Sequence, residues 1–502
     1  MERRIRRLGL FMVLCFVALF VQLNNIQVLK ANSLANNSQN PRIVALERSQ
    51  TRGSILSSDG VPLAYSVLAP KGSYYKYQRI YDPYTSTLFA QTLGFDSLFY
   101  GNFRGVEAQY NSYLTPHTRP AKTLRDLLVN RTVVDNVTLT MDTRLQTQVA
   151  AALNQHAAGV TGAAAVVLNP TTGAIEAMYS NPTFDPNPLV SQSFAVQSAY
   201  WNSHKNAPGN PLVSGSFGQV YPPGSSFKVV TTSAVLQNRP DLATMTYPTV
   251  PFVTLPNSGT PAQVLTNYHS QPCGGNLEQL VINSCDADFA QIGQLLGAQT
   301  LVNQAEAYGF NQQIPLDVPA DTVAVSNFGT TASFADDVPG LMKSAIGQQS
   351  VTASALQMAM VAGTVANGGV EMTPHVMSQI RDSQGGLVEN YTPKQWLQPI
   401  SAETANTLTT FMQGVAKSGT AANIFPASWD VAAKTGTAQT GSFGPNPQYT
   451  DDWLIGFAPV GNTKVAIAVV LPNQPGSATG ATHSGPVLKQ ILGDVRADQG
   501  MP

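Results

Sequence analysis

Two short runs in this chain carry residues whose types and spacing could do covalent chemistry. Ser225 and Lys228 follow Pro222-Pro223-Gly224. Three residues apart, they share a face once the chain is helical. The two prolines and the glycine stop any preceding helix and put Ser225 at or near the first turn of the next. A serine hydroxyl is a weak nucleophile until a base takes its proton. A lysine amine serves as that base only where burial or a nearby cation lowers its pKa, and Phe227, Val229 and Val230 are neighbours suited to such burial. The same spacing describes a capping serine and a surface lysine, so spacing alone leaves both readings open. The second run, Lys434-Thr435-Gly436-Thr437, continues an apolar strand that begins Val431-Ala432-Ala433. Small residues and Gly let another backbone come close, and a strand edge can pair with an extended peptide. Lys434 can hold a carboxylate as a point charge. Thr435 and Thr437 fall on one face because strand side chains alternate. An edge strand shielded by a lysine would read the same way.

Ser-x-x-Lys, Ser-x-Asn and Lys-Thr-Gly, in that order, form the active-site set of penicillin-binding proteins and class A β-lactamases. With its two outer triplets, the chain resembles the penicillin-binding proteins, specifically the monofunctional class B transpeptidases. Arg52-Gly53-Ser54-Ile55-Leu56 with Asp59-Gly60 and Leu63-Ala64 is similar to that family's N-terminal hairpin motif. Gly105-Val106-Glu107 with Tyr110 and Leu114 is similar to its Gly-hydrophobic-Glu segment. Leu139-Thr140-Met141-Asp142 with Leu145-Gln146, and Ala345-Ile346-Gly347-Gln348 with Leu356-Gln357-Met358-Ala359, extend the resemblance over about residues 45–490.

The middle triplet departs from the family pattern. It reads Ser284-Cys285-Asp286. The resemblance implies that Ser284 relays protons between Lys228, Lys434 and the leaving group, and that the third residue donates an amide to the substrate. An ionised Asp286 cannot donate. It is expected to pair with Lys228 or another active-site lysine and to lower acylation by β-lactams, or to stay protonated by burial and donate through its OH.

The resemblance implies peptidoglycan D,D-transpeptidation through an acyl-enzyme on Ser225, with Lys228 as base. The backbone N–H groups of Ser225 and Thr437 would form the oxyanion hole. Lys434, Thr435, Gly436 and Thr437, with Asp286, would hold the stem peptide. β-Lactams would acylate the same serine, and no metal or organic cofactor is required. Two other classes stay open: a D,D-carboxypeptidase or β-lactamase hydrolase, and a non-catalytic β-lactam-binding scaffold. Family analogy adds a membrane glycosyltransferase of the cell-wall machinery as a partner.

These residues need elements to position them. VTLTMD (137–142) alternates like a strand, and Asp142 suits the N-cap of a helix with Leu145, Val149, Ala152 and Leu153 on one face. AAAVVL and AIEAMYS flank Asn169-Pro170-Thr171-Thr172-Gly173 as a hairpin. The region 280–370 reads mostly helical. Three strand-like runs, at Lys434, at DDWLIGFAPV and at TKVAIAVVLPN, follow in meander order and are expected antiparallel. Trp453 is expected in the core beside them, and a helix over Val487–Val495 would close the chain. The fold class is α+β: a central antiparallel sheet flanked by helices (151–502), preceded by a small mixed pedestal (29–150) whose 29–50 is a polar neck.

At 502 residues, with 43% hydrophobic and only 11% charged side chains, the chain can build real cores. With 28 basic and 29 acidic residues and no basic run past residue 7, nucleic acid is not expected as a partner. The six histidines show no metal spacing, and His483 reads as loop structure. Arg3, Arg4, Arg6 and Arg7 precede an apolar run from Leu8 to Val21, which reaches membrane-spanning length if extended to Val28. This reads as a signal anchor (8–28) with a cytoplasmic tail (1–7) and the catalytic domain outside; a cleaved signal peptide is the rival. Cys273 and Cys285, twelve apart and on the exported side, form either a disulfide or two free thiols.

Overall fold

The computed structural model describes residues 2–30, 49–73, 75–97, 99–118, 132–259, 262–440 and 448–500. The polar neck expected over 29–50 falls almost wholly outside them. The chain opens with α1 (Glu2–Asn24). Within Arg3–Gln27 an 18-residue window has a mean hydropathy of 2.0 and is uncovered by the rest of the protein, so the helix is long and apolar enough to cross a membrane.

β1 (Ile55–Leu56) and β2 (Pro62–Leu68) make the expected hairpin, followed by β3 (Tyr77–Tyr81) and β4 (Asp135–Leu139). Helix α2 (Thr143–His156) starts where its cap predicts, with the Asp142 carboxylate accepting from the Leu145 N–H at 3.0 Å. β5 (Ala163–Leu168) and β6 (Ile175–Asn181) pair antiparallel around the Asn-Pro-Thr-Thr-Gly turn. Next come α3 (Lys228–Asn238), α4 (Leu277–Asn283), α5 (Asp286–Ala307) and α6 (Ala355–Ala366). β7 (Met377–Asp382), β8 (Leu387–Asn390) and α7 (Ala402–Ser418) lead to β9 (Ala432–Thr440), β10 (Tyr449–Ala458) and β11 (Val465–Pro475). α8 (Ser484–Asp498) closes the chain, longer at both ends than expected.

One expectation needs correcting. Within 280–370, residues 308–337 form no α-helix, only 3-10 turns at Ala320–Thr322 and Ala332–Phe334. Pro315, Pro319 and Gly329 break the helical register there.

The C-terminal sheet has the order β6-β5-β11-β10-β9, antiparallel throughout. All six residues of β5 are buried, which requires cover on both faces. Helix α6 lies against β5, β10 and β11, while α2 packs on β6 and on α8, which also touches β10 and β11. Helix α6 is apolar nearly all round, as a helix inside a core must be. β9 is left as an edge strand.

The N-terminal sheet has the order β8-β7-β4-β1-β2-β3. Its strands β7 and β8 come from after α6, so the chain returns from the C-terminal module to complete it. The motifs in which the family resemblance was read meet here. Glu107, fully buried, accepts from Arg52 Nε and Arg79 Nε, each at 2.7 Å, and from the Tyr81 hydroxyl at 3.0 Å. Gly53 is required because a Cβ there would lie 1.8 Å from the Asp135 carbonyl oxygen. Asp317 links the two modules, accepting from Val376 N, Met377 N and the Tyr110 hydroxyl.

Candidate active site

Ser225 sits in a 3-10 turn, Gly224–Phe227, that runs directly into α3. The turn is pressed against β9. Gly224 has φ +51°, and a Cβ on it would lie 2.9 Å from the Thr437 carbonyl carbon and the Ala438 nitrogen. A Cβ on Gly436 would lie 2.5 Å from the Pro223 oxygen. Both glycines are therefore what allows the Ser225 turn and the Lys434–Thr437 ribbon to touch. Trp453, fully buried as expected, locks the turn from behind by donating its indole N–H to the Pro222 oxygen at 2.8 Å.

One turn along α3, Lys228 is fully buried. Its Nζ donates to the Ser284 carbonyl at 2.8 Å, to Ser284 Oγ at 3.2 Å and to Asp286 Oδ1 at 2.7 Å. Lys434, also fully buried, donates to Ser284 Oγ at 2.9 Å. The Ser284 hydroxyl therefore joins two buried amines, and Asp286 Oδ1 also accepts from the Ser225 hydroxyl at 3.3 Å. Burial lowers the Lys228 pKa, with the Asp286 carboxylate opposing. Lys434 is held well below the ordinary amine value, first by burial and then by the charge of Lys228. Next along α5, Asp288 is buried and pushed up to about 6, and neither of its oxygens has a hydrogen-bond partner among the described residues.

Ser284 holds its place through strain and fastening. It caps α4 in the left-handed region, at φ 59° and ψ 44°, an uncommon conformation for a non-glycine residue. Cys273 and Cys285 form a disulfide with Cα atoms 5.5 Å apart, which resolves the alternatives left open by the sequence. Buried Asn267 adds a second fastening: its Oδ1 accepts from the Ala287 N–H at 2.8 Å, and its Nδ2 donates to the Val250 and Gln271 carbonyls.

Beside these groups lies a cleft of about 340 Å³. Ser225, Ser284, Asp286, Thr435 and Thr437 face it, as do Thr420, Tyr268 and His269, which the sequence reading did not single out. Thr420 comes from the turn after α7 and meets Thr435 hydroxyl to hydroxyl at 2.6 Å. The Thr437 hydroxyl accepts from the Gly480 N–H at 3.1 Å. His483, read as loop structure, precedes α8 and places Nδ1 3.1 Å from Asp452, whose carboxyl burial pushes up to about 7. No compositional signal points to Thr420 or Asn267. Each is a single polar residue whose role comes from non-local packing.

The arrangement defines a serine acyl-transfer site: a hydroxyl on a tight turn, two buried amines around a second serine, and an edge strand beside a peptide-sized groove. Comparison with known proteins agrees. The penicillin binding protein transpeptidase domain family matches residues 163–493, and the penicillin binding protein A dimerisation domain family matches residues 52–133. The chain is 32% identical over 503 residues to the peptidoglycan D,D-transpeptidase PbpA of Mycobacterium tuberculosis, covering 98% of both chains. It is 31% identical to PbpA of Mycolicibacterium smegmatis over 509 residues, again covering 98% of each. The solved ceftriaxone acyl-enzyme complex of penicillin-binding protein A from M. tuberculosis superimposes with a TM-score of 0.80 at 31% identity, covering 90% of this chain and 99% of that one. The chain belongs to the penicillin-binding protein transpeptidase family.

Proposed function

We propose that this chain is a serine-type peptidoglycan D,D-transpeptidase that is also acylated by β-lactams. The observation that carries the reading is the contact of the Ser225 turn with the Lys434–Thr437 ribbon, with both buried lysines meeting at Ser284. In this reading the neutral amine of Lys228 takes the Ser225 proton as Oγ attacks the carbonyl between two terminal D-Ala residues. The C–N bond breaks, and Ser284 passes a proton to the leaving amine. The amine of a second stem peptide then attacks the ester, restoring the Ser225 hydroxyl. Thr435 and Thr437 would hold the terminal carboxylate with Lys434 behind them, and backbone N–H groups of Ser225 and Thr437 would stabilise the oxyanion. Asp286 would hold Lys228 by its charge, raising the amine's pKa and so limiting the supply of free amine.

Helix α1 would anchor the protein with its arginines inside and the rest of the chain outside. Residues 29–150 would act as a pedestal that raises the transpeptidase domain (151–502) above the membrane. The pedestal and anchor together would meet a membrane glycosyltransferase. A hydrolase would need neither. The test is release of D-Ala from a stem-peptide donor with and without an acceptor amine. Transpeptidation predicts amine-dependent release that disappears in Ser225→Ala. Release indifferent to amine would assign a hydrolase. Labelling of folded wild type by a fluorescent penicillin with no release of D-Ala from any donor would leave a β-lactam-binding scaffold.

A further inference from the structure

Thr420 stands outside the three motifs, yet among the described residues it is the hydrogen-bond partner of the Thr435 hydroxyl. Its placement is built rather than incidental. Gly419 precedes it, and a Cβ there would lie 2.3 Å from the Ile282 carbonyl oxygen. The Thr420 N–H donates to that same carbonyl at 3.2 Å. The turn after α7 is thereby seated on the last turn of α4, two residues before Ser284. The other wall of the contact is β9, where Thr435 is almost fully buried. Both threonines face the cleft.

A hydroxyl carries one proton and accepts through its lone pairs. Two hydroxyls at 2.6 Å share one proton between them, which leaves one for the cleft. With an anion in the cleft, the favourable chain runs from Thr420 to Thr435 to the anion, each bond polarising the next. Without Thr420, the Thr435 hydroxyl is a free rotor and its oxygen loses its donor.

We propose that Thr420 is a positioning residue for the donor's terminal carboxylate, acting by fixing the Thr435 hydroxyl so that it donates into the cleft. This deepens the transpeptidase reading and rests on it. Thr420 touches no reacting atom; it sets selectivity for a carboxylate-bearing donor or β-lactam over a neutral one.

The experiment measures second-order acylation rates with penicillin G and with its methyl ester, for wild type, Thr420→Val, Thr420→Ser, Thr435→Val and the double valine variant. The expected result is a loss of about tenfold or more with penicillin G in Thr420→Val, the scale of a hydrogen bond to a charged group. The ester should lose less than threefold, Thr420→Ser should recover most of the rate, and Thr420→Val should cost little more once Thr435 is already Val. Thermal midpoints accompany each variant, and Thr420→Ala replaces Thr420→Val if the valine does not fold. Equal losses with acid and ester, no loss at all, or additive losses in the double variant would overturn the proposal. Wild type that neither ligand acylates would instead sink the transpeptidase reading itself, a separate outcome.

Discussion

Asp286 is the residue that separates this site from the family pattern. Its carboxylate lies 2.7 Å from Lys228 Nζ and 3.3 Å from Ser225 Oγ. Lys228 works as a base only in its neutral form, so acylation rises with pH as the amine loses its proton. Burial lowers that pKa and the Asp286 charge raises it. Removing the charge therefore moves the acid limb to lower pH. Asp286→Asn is expected to shift the limb down by about one unit and to raise penicillin acylation near pH 7 by about tenfold, one unit being a factor of ten in free amine. An unmoved limb in the pH profile, or one displaced upward, would show that Asp286 does not restrain Lys228. The pairing of Asp286 with a lysine was legible because the departure from Ser-x-Asn falls inside a motif. Thr420, Asn267 and Asp288 were not legible: one hydroxyl, one amide and one carboxyl with no spacing signal acquire their partners only through distant packing.

At the scale of elements, the site depends on two close backbone approaches. Gly224→Ala would force an L side chain into a left-handed conformation, costing about 1–2 kcal/mol, and would also push the Ser225 turn away from Thr437. Acylation should fall at least tenfold, with a lowered thermal midpoint. Gly461→Ala is the control: φ is +81° there but nothing lies within 4 Å, so it should lose stability and keep its acylation rate. If both variants acylate equally well, the close approach of turn and ribbon is not what positions Ser225. Most elements could be read in advance because their signals are local: the Asp142 cap, the hairpin over 163–181, and the meander of β9, β10 and β11. β7 and β8 were harder, because a strand's partner is set by non-local contacts, and these two cross back to the N-terminal sheet. The mostly helical reading of 280–370 passes over 308–337, where Pro315, Pro319 and Gly329 interrupt the helices.

At the scale of the whole molecule, an uncovered apolar helix stands apart from two packed modules. Those modules are tied by Asp317, which lies between α5 and α6 and accepts from the Tyr110 hydroxyl and from the Val376 and Met377 amides where β7 enters the N-terminal sheet. The anchor is therefore not needed to build the cleft. A chain lacking residues 1–30 is expected to leave the membrane fraction on centrifugation and still bind fluorescent penicillin at an unchanged rate. Retention on membranes would point to a second attachment surface, and loss of labelling would make the helix part of the folded site. Every step of the proposed acyl transfer passes through Ser225 Oγ. Intact-mass analysis after exposure to penicillin G, followed by peptide mapping, tests that directly. The predicted result is a single penicilloyl adduct on the peptide containing Ser225, absent in Ser225→Ala. An adduct on any other residue, or none on a protein whose thermal midpoint shows it folded, would contradict it.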